Sequence, residues 1–218
     1  MKGRRVDGLN VEALFTGADG AYAFARWGRP IVPVVFGVEE AALEVVKGAI
    51  EAVVSLAGHQ MAETDPELGA NLMLFFFAEW DELLAVPKLG EMVPDLPALV
   101  ERLKAAGARQ YRGFRFEDHG AIQMCFAFVC LSGDMAEMDG EALALGQAVG
   151  AMLTWSDAAF AGKSPLALVP GQDAFVLRPE IAAVIRAAYD PMLPVAAHEA
   201  SHALRLAARV VLQAGAGQ

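Results

Sequence analysis

The sequence predicts an α+β fold, a single domain in which a small mixed sheet is packed by helices. Three observations predict it. Segments 72–78 (LMLFFFA) and 121–131 (AIQMCFAFVCL) are apolar, aromatic or β-branched, and far shorter than the roughly 20 residues of a membrane span. Stretches with a helical period alternate with them. No internal repeat and no long linker divides the 218 residues, a length that suits one domain.

Taken in order, residues 1–23 read as a polar lead-in, 24–213 as the domain and 214–218 (AGAGQ) as a disordered tail. The run 31–38 (IVPVVFGV) is β-branched but holds Pro33, which cannot donate to a sheet ladder; it predicts an edge or irregular strand. Residues 39–57 place Leu43, Val46, Ile50, Val53, Val54 and Ala57 at helical spacing, with Gly58 suited to end the helix. Segment 71–78 is a second strand. Residues 79–108 are helical pieces broken by Pro87, Pro94 and Pro97, the clearest being 97–106 with Pro at its start and Gly107 past its end. The near-continuous apolar character of 121–131 predicts a strand buried on both faces. Residues 141–153 read as a buried helix, 154–173 as a Pro- and Gly-rich loop, 179–189 as a helix stopped by Asp190-Pro191, and 194–212 as the last helix.

Composition bounds the function. Hydrophobic residues make up 56% of the chain, charged residues 20%, and the mean hydropathy is +0.38, which excludes a disordered chain. Two cysteines cannot staple a domain of this size, and Cys125 and Cys130, five apart on a strand, point to opposite faces as buried apolar filler. Lys and Arg number 17 against 27 Asp and Glu, a net charge of −10, so nucleic-acid and anionic-membrane partners are not expected. Lys2, Arg4 and Arg5 form the one basic cluster, and no apolar run follows them. The expectation is a cytoplasmic chain without an export signal, or an exported one whose signal has been removed.

The candidate chemistry lies at His198-Glu199-Ala200-Ser201-His202, a literal H-E-x-x-H. On a helix its histidines share one face and can bind zinc while the glutamate polarises water. His59 and His119 are the other two histidines available as a third ligand. On a helical wheel Ala196, Ala200, Ala203, Leu204, Ala207 and Val211 form the apolar face. His198, His202, Arg205 and Arg209 form a stripe nearly opposite, facing solvent. Two arginines along that stripe repel a dication, so the wheel favours a solvated polar stripe over a zinc site. Asp134, Glu137, Asp139 and Glu141 lack the spacing of a calcium loop. Gly146 and Gly150 predict close backbone approach to another element. No nucleophile elbow, P-loop or dinucleotide fingerprint is present.

Several landmarks, read in order over residues 24–210, resemble an uncharacterised bacterial domain-of-unknown-function family with a predicted zincin-like, metallopeptidase-like fold. They are Arg26-Trp27 with Pro30, Leu56-Ala57-Gly58-His59, Ala70-Asn71-Leu72 and Gln147-Ala148-Val149-Gly150. Trp155-Ser156-Asp157, Ser164 to Leu166 and Tyr189-Asp190-Pro191-Met192-Leu193 complete the series. The resemblance implies that helix 141–153 stands where zincins put their metal-binding helix. The family's two glutamates then fall on Leu143 and Ala144, and its cysteine near Gly140, with Glu141 as the substitute acid if the register is shifted. A helix without those acids cannot activate water. The resemblance also places His198 and His202 outside the family's site.

The expected function is therefore a non-catalytic, zincin-like binding or structural module. It has no assigned catalytic, cofactor or metal residue, and its partner is an unidentified protein or small molecule. The alternative is a zinc-dependent metallopeptidase using 198–202, with Glu199 as general base. A weaker third idea is a small-ligand pocket lined by Trp27, Trp80, Trp155 and methionines.

Overall fold

The apolar runs assemble one four-stranded sheet, and what flanks it sorts by face. The computed structural model describes residues 9–172 and 174–216, with side chains to residue 213. The basic cluster at Lys2, Arg4 and Arg5 lies outside them. The elements are β1 (Phe24–Ala25), β2 (Pro33–Phe36), α1 (Glu40–Leu56), β3 (Leu72–Phe77), α2 (Leu89–Met92), α3 (Leu96–Ala105), β4 (Gln110–Phe116) and β5 (Ile122–Cys130). They continue with α4 (Gly140–Met152), β6 (Leu166–Leu168), β7 (Phe175–Leu177), α5 (Pro179–Ala188), β8 (Ala196–Ala197) and α6 (Ser201–Ala216). The main sheet runs β2-β3-β5-β4, with β2, β3 and β5 parallel and β4 antiparallel to β5. Two-stranded pairs β1-β8 and β6-β7 lie outside it. The mixed sheet packed by helices is the expected α+β architecture, and no helix among the described residues is long and apolar enough to cross a membrane.

Pro33 opens β2, and β2 is an edge strand, where a missing N–H costs the ladder least. The central β5 is buried along nearly its whole length. Its alternate residues feed two cores: Cys125, Ala127 and Val129 face α1, α4, α5 and α6, while Met124, Phe126, Phe128 and Cys130 face α2 and α3. The two cysteines thus stand on opposite faces, both buried and free.

Four expectations are corrected. The lead-in is part of the domain from residue 9 onward: Val11, Leu14, Phe15 and Tyr22 are buried in the core with Phe24 and Trp27. Residues 110–116, unassigned in the sequence, form β4, which closes a hairpin onto β5 through the turn at 117–121. The expected loop 154–173 contains β6, paired with β7 after the Pro170-Gly171 turn. The last helix starts at Ser201 rather than 194, because Ala196 and Ala197 pair with β1. It continues to Ala216, through the start of the expected tail, and residues 217–218 lie outside the described chain.

Gly37 shows how tightly the sheet edge is built. Its φ of +79° is open to glycine, and a Cβ there would collide with the carbonyl of Phe76 on β3. Gly58, at φ +65°, ends α1 in the left-handed conformation its position predicts.

Candidate functional site

The His-Glu-x-x-His motif does not sit on one helix. Residues 198–200 precede α6, and His202 is only the second residue of the helix. His198 and Glu199 are exposed, whereas His202 is fully buried, against the expectation of a solvent stripe. The inward face of α6 carries His202, Ala203, Leu206, Ala207 and Val210. Leu204 and Val211, expected inside, are 49% and 52% exposed. The helical wheel failed because it ran the helix back through residues that are extended, and so weighted Ala196 and Ala200 over Leu206 and Val210.

His202 is held as a core residue. Its Nδ1 is 2.7 Å from the Tyr22 hydroxyl, and its ring packs against Phe24 with centroids 4.3 Å apart. Burial and the nearby Arg205 lower its pKa to about 4, so the ring is neutral near pH 7. Burial, with Glu12 nearby, pushes the Tyr22 phenol well above its usual value. His59 lies elsewhere, with Nε2 2.9 Å from the Arg29 carbonyl oxygen and its ring against Tyr189, and His119 is exposed. Among the described residues, no cluster of three or more His, Cys, Asp or Glu side chains is placed to hold a metal ion. Of the acidic loop, Asp139 caps α4, its carboxylate accepting from the Ala142 amide at 2.8 Å.

The tryptophans do not share a pocket. Trp27 is in one core, donating from Nε1 to the Ala151 carbonyl, and Trp80 is in the opposite one, donating to that of Ala108. The two glycines of α4 also behave differently from expectation. Gly146 faces open space, and Gly150 is met by the Arg112 guanidinium rather than by backbone.

The cavity that the sequence did not reveal lies at the carboxyl edge of the sheet. Because β2, β3 and β5 run parallel, their C-terminal ends stand together, and α1 and α4 both begin there. Between those helix starts opens a cleft of about 700 Å³. Val38, Val45 and Val46 line one side, Leu131, Met135 and Met138 another, with Phe76 from β3 and Leu143 and Ala144 from α4. Among the described residues its only charged lining groups are Asp139 and Glu141, both carboxylates, and Asp139 is committed to its cap. Val45 and Met138 are 39% and 46% exposed, so the apolar wall opens to water. Crevices outside the carboxyl ends of parallel strands are where open sheets of this type bind ligands. A clue was available in the run Gly37-Val38 after one strand and Leu131-Ser132-Gly133 after another, at equivalent ends of parallel strands, but only the strand directions make it legible.

One charged network braces the sheet. Buried Asn71 accepts from the Val32 amide at 2.8 Å and donates to the Pro30 carbonyl at 2.9 Å and to Asp65 at 3.1 Å. Arg29 pairs with Asp65 at 3.1 Å, and also with Glu67 and Glu117. Burial alone would raise the Asp65 pKa, but the amides of Leu68 and Glu67, with Arg29 and Asn71, outweigh it and hold the carboxyl at about 2. Both oxygens of Asp65 and both amide atoms of Asn71 are engaged by structural partners, so the network fixes the loop 59–71 rather than presenting a reactive group.

Comparison of the chain with family models, with curated proteins and with solved structures finds no match.

Proposed function

We propose that the protein is a non-catalytic binding module of zincin-like character that takes a small, uncharged, predominantly apolar molecule in the carboxyl-edge cleft. The observation that carries this reading is the composition of the cleft wall. Leu143 and Ala144, the positions at which the resembled family carries glutamates, line the cleft as apolar groups.

A volume of about 700 Å³ is within the usual range for small-molecule sites. Valine, leucine and two flexible methionines supply the apolar contact, and methionine adapts to ligands of irregular shape. Among the described residues no lysine, arginine or histidine lines the cleft to neutralise an anion, and Glu141 at its rim disfavours one.

The peptidase alternative draws no support from the placement of its residues. Glu199 is exposed, and His202 has Nδ1 engaged with Tyr22 and its ring sealed in the core.

The test is binding of Nile red, a neutral apolar dye, followed by fluorescence, with the anionic dye 1-anilinonaphthalene-8-sulfonate as comparator. Ala42→Trp, at an exposed α1 position on the cleft wall, should narrow the site and weaken Nile red binding without disturbing the core.

A further inference from the structure

A second cleft, towards the other end of α4, has the opposite chemistry. About 530 Å³ in volume, it lies between β4 and the segment 155–161, walled by Tyr111, Phe114, Trp155 and Phe160, with Gly150 and Arg112 on its inner side. Arg112 is the anomaly. Its one hydrogen bond among the described residues runs from Nη2 to Gln147 Oε1, at 2.8 Å, and Gln147 is itself held by donating to Gln110 at 3.0 Å. Nε is sealed from solvent without a partner, and Nη1, which is not sealed, makes no hydrogen bond among the described residues, in a side chain that is half-buried overall. Among the described residues no carboxylate lies within 4.0 Å of the guanidinium, although the chain carries ten more acids than bases.

A cation drawn partly out of water without a counter-ion is costly, and a guanidinium cannot escape by giving up its proton near neutral pH. Burial does lower its pKa, in the direction that records the cost. The fold nevertheless makes room for it. Gly150 lies directly against the guanidinium, and any side chain at 150 would collide with it, so α4 is notched where the arginine sits.

We propose that this cleft is a binding site for a small aromatic monocarboxylate, whose carboxylate pairs with Arg112 and whose ring stacks among Trp155, Phe160 and Phe114. Arginine offers a planar fork of donors that matches a carboxylate. The ring walls select an aromatic body, since offset and edge-on ring contacts favour each other at these sizes. One cation, with exposed Asp157 at the lip beyond ion-pair range, suits a single negative charge better than a phosphate dianion. Trp155 is rigid enough to serve as a wall, stacked on Phe15 at 5.2 Å and bonded from Nε1 to the Val149 carbonyl at 2.8 Å.

The experiment is a titration of the ¹⁵N-labelled protein with benzoate, with benzamide as the uncharged isostere and inorganic phosphate as the non-aromatic anion. The side-chain N–H signals of Arg112 and Trp155 report the site. Benzoate should shift both signals saturably, while benzamide and phosphate should not. Arg112→Gln should weaken benzoate binding at least about tenfold, as expected for a lost charged hydrogen bond. If that variant does not fold, Phe160→Ala, which leaves the charge in place, should weaken benzoate binding several-fold. The proposal is overturned if benzoate leaves both signals unmoved, if benzamide or phosphate matches it, or if a folded Arg112→Gln binds benzoate as tightly as the parent.

Discussion

The Tyr22 hydroxyl and His202 Nδ1 meet at 2.7 Å inside the core, joining residues 180 positions apart in the chain. That contact ties the N-terminal segment to the last helix, and it explains why His202 is not on a solvent face. It also makes the protein acid-sensitive. The His202 pKa is about 4 in the folded chain, because burial and Arg205 oppose a second charge, against 6.5 for an unperturbed ring. A depressed folded-state value means the unfolded chain binds the proton more readily, so stability is lost as pH falls from about 6.5 towards 4. The loss should be on the order of 2–3 kcal/mol, read by denaturant melts at pH 7 and pH 4.5. In His202→Gln this part of the acid dependence should disappear.

Asp65 should give a second, lower acid transition. Its carboxyl is held at about 2, so its contribution is present above about 4 and is lost as pH falls through 2. Asp65→Ala leaves Arg29 and Asn71 without their buried partner and should cost about 2–4 kcal/mol at pH 7. Denaturant melts of the variant should also show a flatter profile below pH 4.

Two glycines should respond in opposite directions to alanine. Gly37→Ala places a Cβ against the Phe76 carbonyl at a positive φ and should destabilise by about 3 kcal/mol or more. Gly48 lies inside α1, exposed, with open space around it, so Gly48→Ala should stabilise by about 0.5–1 kcal/mol. Thermal melts of the pair read both signs.

Untagged protein should carry no stoichiometric zinc. Exposed His198 and sealed His202 do not present one ligand face. Elemental analysis of the purified chain checks this, and stoichiometric zinc that disappears in His198→Ala would restore the peptidase reading.

What the sequence made legible was whatever depends on local pattern. The aromatic and β-branched runs became β3 and β5, Pro33 marked an edge strand, and the five-residue spacing of Cys125 and Cys130 put them on opposite faces. What it hid depends on pairing across the chain. β4 (QYRGFRF) carries two arginines and a glycine that dilute its strand character, although Glu117-Asp118-His119-Gly120 ahead of an apolar run is a hairpin signal. Ala196 and Ala197 are good helix formers pulled into extended pairing by β1, and that shift of the helix start removed the histidine motif from its expected frame. The apolar character of Leu143 and Ala144 was visible. Its position on the wall of a cleft required the parallel ends of β2, β3 and β5.

The central claim, a non-catalytic module with an apolar ligand site at the carboxyl edge of the sheet, is tested most directly by Nile red titration of the parent protein and Ala42→Trp. The parent should bind the dye saturably at one site, with little response to the anionic dye, and Ala42→Trp should weaken Nile red binding at least about tenfold while melting at the parental temperature. Absence of saturable binding in the parent, or equal binding in a folded Ala42→Trp, would contradict it.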